Sequence, residues 1–250
     1  MSLKNTVKAN KKISVIIAAA GNSVRFKVGV SKQFALLSNK PLLFHSLDKF
    51  LLMKDIIEII IVTSNLIATE EMIKKIDHKT NIKIKVVLGG KLRQDSVFNG
   101  FANVDRNSDL VLIHDVARPL FDISDVEKCV NQAATTGTGI LAVPVVDTIK
   151  RGKNKENEIL VEETLKRDNL YLIQTPQVFS YELLAEIYDK LGKMKEKPIL
   201  NDEAQLAEIL GYTVNLVAGK RDNIKITYSE DLDFAEACLN LIKKEALISE

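Results

Sequence analysis

Apolar residues follow two rhythms along this chain. Runs without polar alternation fall at residues 13–17, 56–62, 110–113 and 139–145, with a further run ending at Leu88. Such runs read as strands covered on both faces. Between them the apolar positions take helical spacing: Leu42, Leu43, Leu47, Phe50 and Leu51 follow Pro41, residues 66–76 form a second helical stretch, and Ser124 caps a helix through Thr136. Strand and helix in alternation predict an α/β fold with a mostly parallel, twisted sheet flanked by helices. Its ligand sites would lie beyond the carboxyl ends of the strands.

The rhythm breaks at residues 147–172, a stretch rich in Lys, Asn and Glu with short apolar pieces at 159–161 and 170–173. It reads as a projecting β-arm with its tip near 153–158. Such an arm cannot cover both faces of its own strands, which predicts a homodimer packed through it; a flexible surface loop is the other reading. QTPQVF at 174–179, a helix through Leu191, an acidic segment from Asn201, and short strands at 213–217 and 223–227 complete the domain. Ser229, Glu230 and Asp231 then open a C-terminal helix. The expectation is a single domain over 13–250 preceded by a disordered lead-in, 1–12.

Composition narrows the function classes. At 250 residues, 46% of them hydrophobic, the chain can bury a large core. A net charge of +2 with dispersed basic residues does not form a nucleic-acid face. No apolar run approaches the ~20 residues of a membrane span, and Cys129 and Cys238 form neither a CxxC pair nor a disulfide framework, so a cytoplasmic protein is expected.

Three strand ends carry candidate chemistry. Ala18, Ala19, Ala20 and Gly21 remove side-chain bulk after the first strand, and Arg25 and Lys32 follow, a combination suited to polyphosphate; a plain turn with two solvated cations is the alternative. Gly89 and Gly90 precede Arg93, Asp95 and Ser96, where backbone and Ser96 could read a base or merely form a turn and helix cap. Asp115 emerges at a strand end with Arg118 beyond, placing a hard carboxylate where Mg²⁺ and phosphates could meet; capping a turn or pairing with Arg118 would explain it otherwise. His45 reads as a packing or hydrogen-bonding residue of its helix, and His114 as structural because phosphate-bound Mg²⁺ favours oxygen donors.

AAAGNSVRF, SKQ, GGKLRQDSV, IHDVARP, VPVVDTIK, LIQTPQVF, NDEA and NIKIT occur in this order between about residues 15 and 235. The ordered set closely resembles the 2-C-methyl-D-erythritol 4-phosphate cytidylyltransferases of isoprenoid biosynthesis. The resemblance implies a Rossmann-like sheet, a Mg²⁺-dependent homodimer with interlocking β-arms, and transfer of cytidylyl from CTP to a polyol phosphate. It assigns Ala19, Ala20, Gly21, Arg25 and Lys32 to the CTP phosphates, Gly90 and Ser96 to cytidine, and Asp115 to Mg²⁺. Arg118, Thr148, Arg167, Thr175 and Lys225 match positions at the polyol phosphate, with Arg167 reaching across the dimer. Arg25, Lys32, Arg167 and Lys225 would carry catalysis as charges, with no protein nucleophile.

Some positions depart from that pattern. Ser23 replaces a usual glycine, Ser31 and Ala18 replace prolines, Asn201 replaces a threonine, and Val116 replaces an alanine. Ribitol 5-phosphate cytidylyltransferases share the CTP machinery, but NDEAQLAE and NIKIT favour methylerythritol phosphate. A non-catalytic nucleotide sensor would not need Arg25, Lys32, Asp115, Arg167 and Lys225 together.

Overall fold

The computed structural model describes residues 11–21, 26, 31–75 and 81–248, with side chains to 244. Strands β1 (Ile13–Ala19), β4 (Ile56–Thr63), β5 (Lys83–Leu88), β6 (Leu110–Asp115), β7 (Thr138–Pro144), β10 (Tyr171–Ser180) and β11 (Leu216–Ala218) form one sheet in the order β11-β7-β10-β6-β1-β4-β5. β10 runs antiparallel to both its neighbours, and the other pairings are parallel. Two short strands, β2 (Leu36–Leu37) and β3 (Lys40–Pro41), pair separately.

Helices α1 (Leu42–Leu51), α2 (Leu66–Lys74), α3 (Arg93–Phe101), α4 (Ile123–Thr136), α5 (Tyr181–Lys193) and α6 (Glu203–Ile209) connect these strands, and α7 (Asp231–Ile248) ends the chain. The non-alternating runs have a direct cause, because successive side chains enter opposite cores. Ile13, Val15 and Ile17 pack with Leu43, Leu47 and Phe50 of α1 and with Val126 and Cys129 of α4. Ile16 packs instead with Val97 of α3 and with Leu184 and Ile187 of α5. A third cluster joins Phe26, Leu37, Leu42 and Leu120 to Ile226 and Ala235.

The arm has sharper bounds than its sequence suggests. β8 (Lys150–Lys155) and β9 (Glu158–Thr164) form an antiparallel hairpin whose residues are all exposed, and β10 starts at Tyr171 with three exposed residues that already pair with β7. The pieces at 170–173 and 174–179 are therefore one strand. Elsewhere, Asp122 rather than Ser124 caps α4, its side chain accepting from Ser124 N. Residues 223–227 are not a strand: Ile226 N donates to Ala117 O (2.8 Å), and Asn223 Nδ2 to Thr175 O (3.0 Å), so this segment lies across the end of β6 instead of beside a strand. The acidic segment after Asn201 folds as α6, with Asp202 accepting from Gln205 N (2.8 Å). Residues 1–10 of the expected lead-in lie outside the described residues, whereas Lys12 N is bonded to Asp109 Oδ2 (2.8 Å).

Candidate active site

The carboxyl ends of β1, β5 and β6 face one another across the sheet edge, and two cavities open there. The first, about 310 Å³, is lined by Ala18, Ala19, Ala20 and Gly21 after β1, by Lys32 and Gln33, and by Gly90 and Ser96 after β5. The loops approach closely. A Cβ on Gly89 would stand 2.3 Å from the Ala20 Cβ and push the two loops apart, and one on Gly90 would stand equally near the Asp95 Cβ and distort its own loop. Ser96 Oγ accepts from Gly90 N (3.0 Å) and lies 3.1 Å from Leu92 O, while Asp95 Oδ2 accepts from Leu92 N (3.1 Å). Leu92 is the N-cap of α3 and offers no side-chain cap, so the Ser and Asp side chains instead tie the loop: Ser96 to Gly90 and Asp95 back to Leu92. Lys32 Nζ stands 5.5 Å from the Phe26 ring centroid. Arg25 and Ser23 lie outside the described residues.

The second cavity, about 390 Å³, is lined by Arg118, Thr175 and Gln177, and by Asn201, Asp202, Gln205 and Glu208 around the start of α6. Arg93, Asp115 and Lys225 line both cavities and so form the wall between them. Asp115 is 8% exposed; its Oδ1 lies 3.1 Å from Arg93 Nη2 and its Oδ2 2.7 Å from Lys225 Nζ. Burial alone would raise this carboxyl, but Arg93, Lys225 and Arg118 outweigh it and hold Asp115 well below the usual carboxylate range. Asp115 therefore pairs with Arg93 and Lys225 rather than with Arg118.

Arg118 is committed to the scaffold. Nη1 donates to Asn223 O (2.8 Å) and Nη2 to Ile173 O (3.1 Å), which holds the segment carrying Lys225 against β10, while its buried Nε has no partner. Thr175 Oγ1 accepts from Asp115 N (3.0 Å) and lies 3.1 Å from His114 Nδ1, whose Nε2 is 3.1 Å from Arg118 O. A carbonyl only accepts, so Nε2 carries the imidazole proton and Nδ1 accepts from Thr175. Burial, then the Arg118 and Lys49 charges, push His114 down to about 3 despite Asp115. This neutral histidine orients the end of β6, the structural part expected of it. His45 is structural too, its Nε2 2.9 Å from Leu37 O.

Of the sequence-predicted residues, Ala19, Ala20, Gly21, Lys32, Gly90, Ser96, Asp115, Arg118, Thr175 and Lys225 meet at these cavities. Thr148 and Arg167 line neither. Both are exposed at the base of the arm, where Arg167 Nη1 donates to Val146 O. Arg93 was visible in GGKLRQDS without an assigned role, and nothing local signals its partner Glu203, 110 residues away. Val116, one of the departures, is buried and donates from N to Ala18 O (3.1 Å), linking β6 to the first loop.

A single carboxylate at this wall suits a cation that takes its other ligands from phosphates and water, as Mg²⁺ does. The described residues contain no group of three or more His, Cys, Asp or Glu side chains that would cage an ion without substrate. No described helix is long and apolar enough to cross a membrane.

Residues 13–241 match the family model described as 2-C-methyl-D-erythritol 4-phosphate cytidylyltransferase. A protein of that name from Clostridioides difficile is 38% identical over 94% of this chain and 97% of its own length, and one from Clostridium botulinum (strain Langeland) is 40% identical over 91% and 97%. Among solved structures, 4-diphosphocytidyl-2C-methyl-D-erythritol synthase from Anaerococcus prevotii superposes with a TM-score of 0.77 at 34% identity, covering 92% of this chain and 97% of that one. The cytidylyltransferase of Thermus thermophilus gives 0.71 at 30% identity, covering 90% and 98%.

Proposed function

The chain belongs to the 2-C-methyl-D-erythritol 4-phosphate cytidylyltransferase family, and from that premise we propose that it joins CTP to 2-C-methyl-D-erythritol 4-phosphate, giving 4-diphosphocytidyl-2-C-methyl-D-erythritol and pyrophosphate. One observation carries the reading: two cavities share a wall of Arg93, Asp115 and Lys225, so reagents in each would meet beside the same charges. In the reaction an oxygen of the acceptor phosphate bonds to the α-phosphorus of CTP while the bond to the leaving pyrophosphate breaks. Both partners are anions, so positioning and charge neutralisation supply most of the acceleration.

Each lining residue takes a part that follows from its place. Ala19, Ala20 and Gly21 admit the triphosphate close to the backbone, Gly90 and the Ser96 loop bound the nucleoside, and Lys32 offsets charge at the α-phosphate, a part that the family resemblance also assigns to Arg25. Lys225 faces the acceptor phosphate, and Thr175 and Arg118 bound that cavity. Asp115 would hold Mg²⁺, which when bound neutralises phosphate charge.

A homodimer completes the proposal. Among the described residues the β8–β9 hairpin has no strand partner beyond itself, and Ile159, at 78% exposure, stands with Leu160 and Val161 in water, an arrangement that a second copy would cover. Thr148 and Arg167 would then face the acceptor cavity of the partner. Free Cys129 and Cys238 fit a reducing cytoplasm.

The test is pyrophosphate release from CTP with methylerythritol phosphate or ribitol 5-phosphate as acceptor. Turnover is expected with the first. Preference for ribitol 5-phosphate, or no turnover with either, overturns the reading.

A further inference from the structure

Arg93 divides its guanidinium between two buried acids. Nε and Nη2 lie 3.3 and 3.1 Å from Asp115 Oδ1, and Nη1 lies 2.9 Å from Glu203 Oε2. Glu203 is 1% exposed, lines neither cavity and sits at the first position of α6. Its carboxylate meets the cavity wall through Arg93. The next residue reinforces the link: Gln94 Nε2 donates to Pro198 O (3.2 Å) and its Oε1 accepts from Leu200 N (2.7 Å), lacing the start of α3 to the segment entering α6.

The fork geometry matters because a guanidinium is planar, and fixing Nη1 on Glu203 fixes the direction in which Nε and Nη2 present their hydrogens. Asp115 is thereby held through Oδ1 by Arg93 and through Oδ2 by Lys225, in the wall between the cavities. We propose that Arg93, anchored by Glu203, is a positioning residue that sets the orientation in which Asp115 meets the divalent cation of the bound nucleotide. The proposal rests on the reading of Asp115 as the ligand of that cation. A purely structural tie between α3 and α6 would give stability alone and leave cation binding unchanged.

The experiment uses Mn²⁺ as probe, with CTP and without acceptor, so that no turnover is needed. Mn²⁺ bound in the presence of CTP is followed by electron paramagnetic resonance, and CTP affinity in EDTA by calorimetry. Arg93→Lys keeps the charge but loses the fork, and is expected to weaken Mn²⁺ binding about 10- to 100-fold, by clearly more than it weakens metal-free CTP binding. Glu203→Gln should weaken it less, and should add nothing in the Arg93→Lys background, because Glu203 acts through Arg93. Undiminished Mn²⁺ binding in a folded Arg93→Lys protein, or additive losses in the double variant, overturns the proposal. If Arg93→Lys does not fold, Glu203→Gln alone decides: unchanged Mn²⁺ binding overturns it. Asp115→Asn separates the premise from the inference. Undiminished Mn²⁺ binding there removes the ligand assignment and this proposal with it, whereas loss there with retention in Arg93→Lys rejects only the role of Arg93.

Discussion

Lys225 Nζ lies 2.7 Å from Asp115 Oδ2, although 110 residues separate them in the chain. Asp115 ends a buried parallel strand, and Lys225 lies on a segment that owes its place to bonds from Ile226 to Ala117 and between Asn223 and Arg118. Their contact puts a cation and an anion on the wall between two cavities, so charge lost at either is felt in both.

Asp115→Asn tests the acid. The amide keeps the shape but removes the charge that would hold Mg²⁺, and turnover is expected to fall on the order of 10²- to 10³-fold, the scale seen when a preorganised electrostatic contact is lost. Lys225 then lacks its anionic partner and Arg93 keeps only Glu203, so metal-free CTP affinity should be kept or increase. Near-normal Mg²⁺ dependence of the rate would remove Asp115 as ligand.

Lys32→Ala and Arg25→Ala address the transferred phosphorus. A charge that interacts most strongly with the transition state lowers kcat when removed, whereas one that grips CTP equally throughout raises only KM. The expected outcome in steady-state kinetics is a larger fall in kcat than rise in the KM for CTP. A pure KM effect would make both residues ground-state binders.

What the sequence disclosed follows from how locally each feature is encoded. β1 and β6 were legible because residues such as Val15 and Ile16 serve opposite cores, which leaves an apolar run with no alternation. β10 was read as two pieces because its first three residues are exposed and those after them buried, so a single strand carries two patterns. The strand expected at 223–227 failed for a different reason: Ile224, Lys225 and Ile226 resemble a strand in composition, but their positions are set by contacts with Ala117 and Arg118, remote in sequence. The site divides in the same way. Asp115 could be found at a strand end, while the Arg93–Glu203 pair depends on how α3 meets α6 and leaves no mark at either position.

His114 predicts a pH dependence of stability. Burial pushes its imidazole down to about 3, against 6.5 for the ordinary group, so the unfolded chain binds a proton that the folded chain refuses. The stability from keeping it neutral is fully present above pH 6.5 and is lost as pH falls towards 3, at up to about 1.4 kcal/mol per pH unit. Denaturant unfolding between pH 7 and pH 4 should show this slope. His114→Gln should be less stable at neutral pH, having lost bonds to Thr175 and Arg118, and should show a flatter acid limb. Equal slopes in the two proteins would mean that other groups govern acid unfolding.

The last prediction joins the arm to the chemistry. Arg167 stands at the base of the arm, exposed and lining neither cavity of its own chain, whereas Lys32 lines the first cavity. If two copies interlock through β8 and β9, each site takes its first loop from one subunit and Arg167 from the other. Arg167→Ala and Lys32→Ala homodimers then carry one lesion in every site and are nearly inactive. A mixed dimer differs: both lesions fall in one site, and the other is intact. With random exchange about half of the dimers are mixed and half of their sites are whole, so activity should rise towards roughly a quarter of wild type. The measurement is pyrophosphate release after mixing, with exchange followed independently by mass-tagged subunits. No recovery despite complete exchange would place Arg167 in its own subunit's chemistry and exclude a shared site.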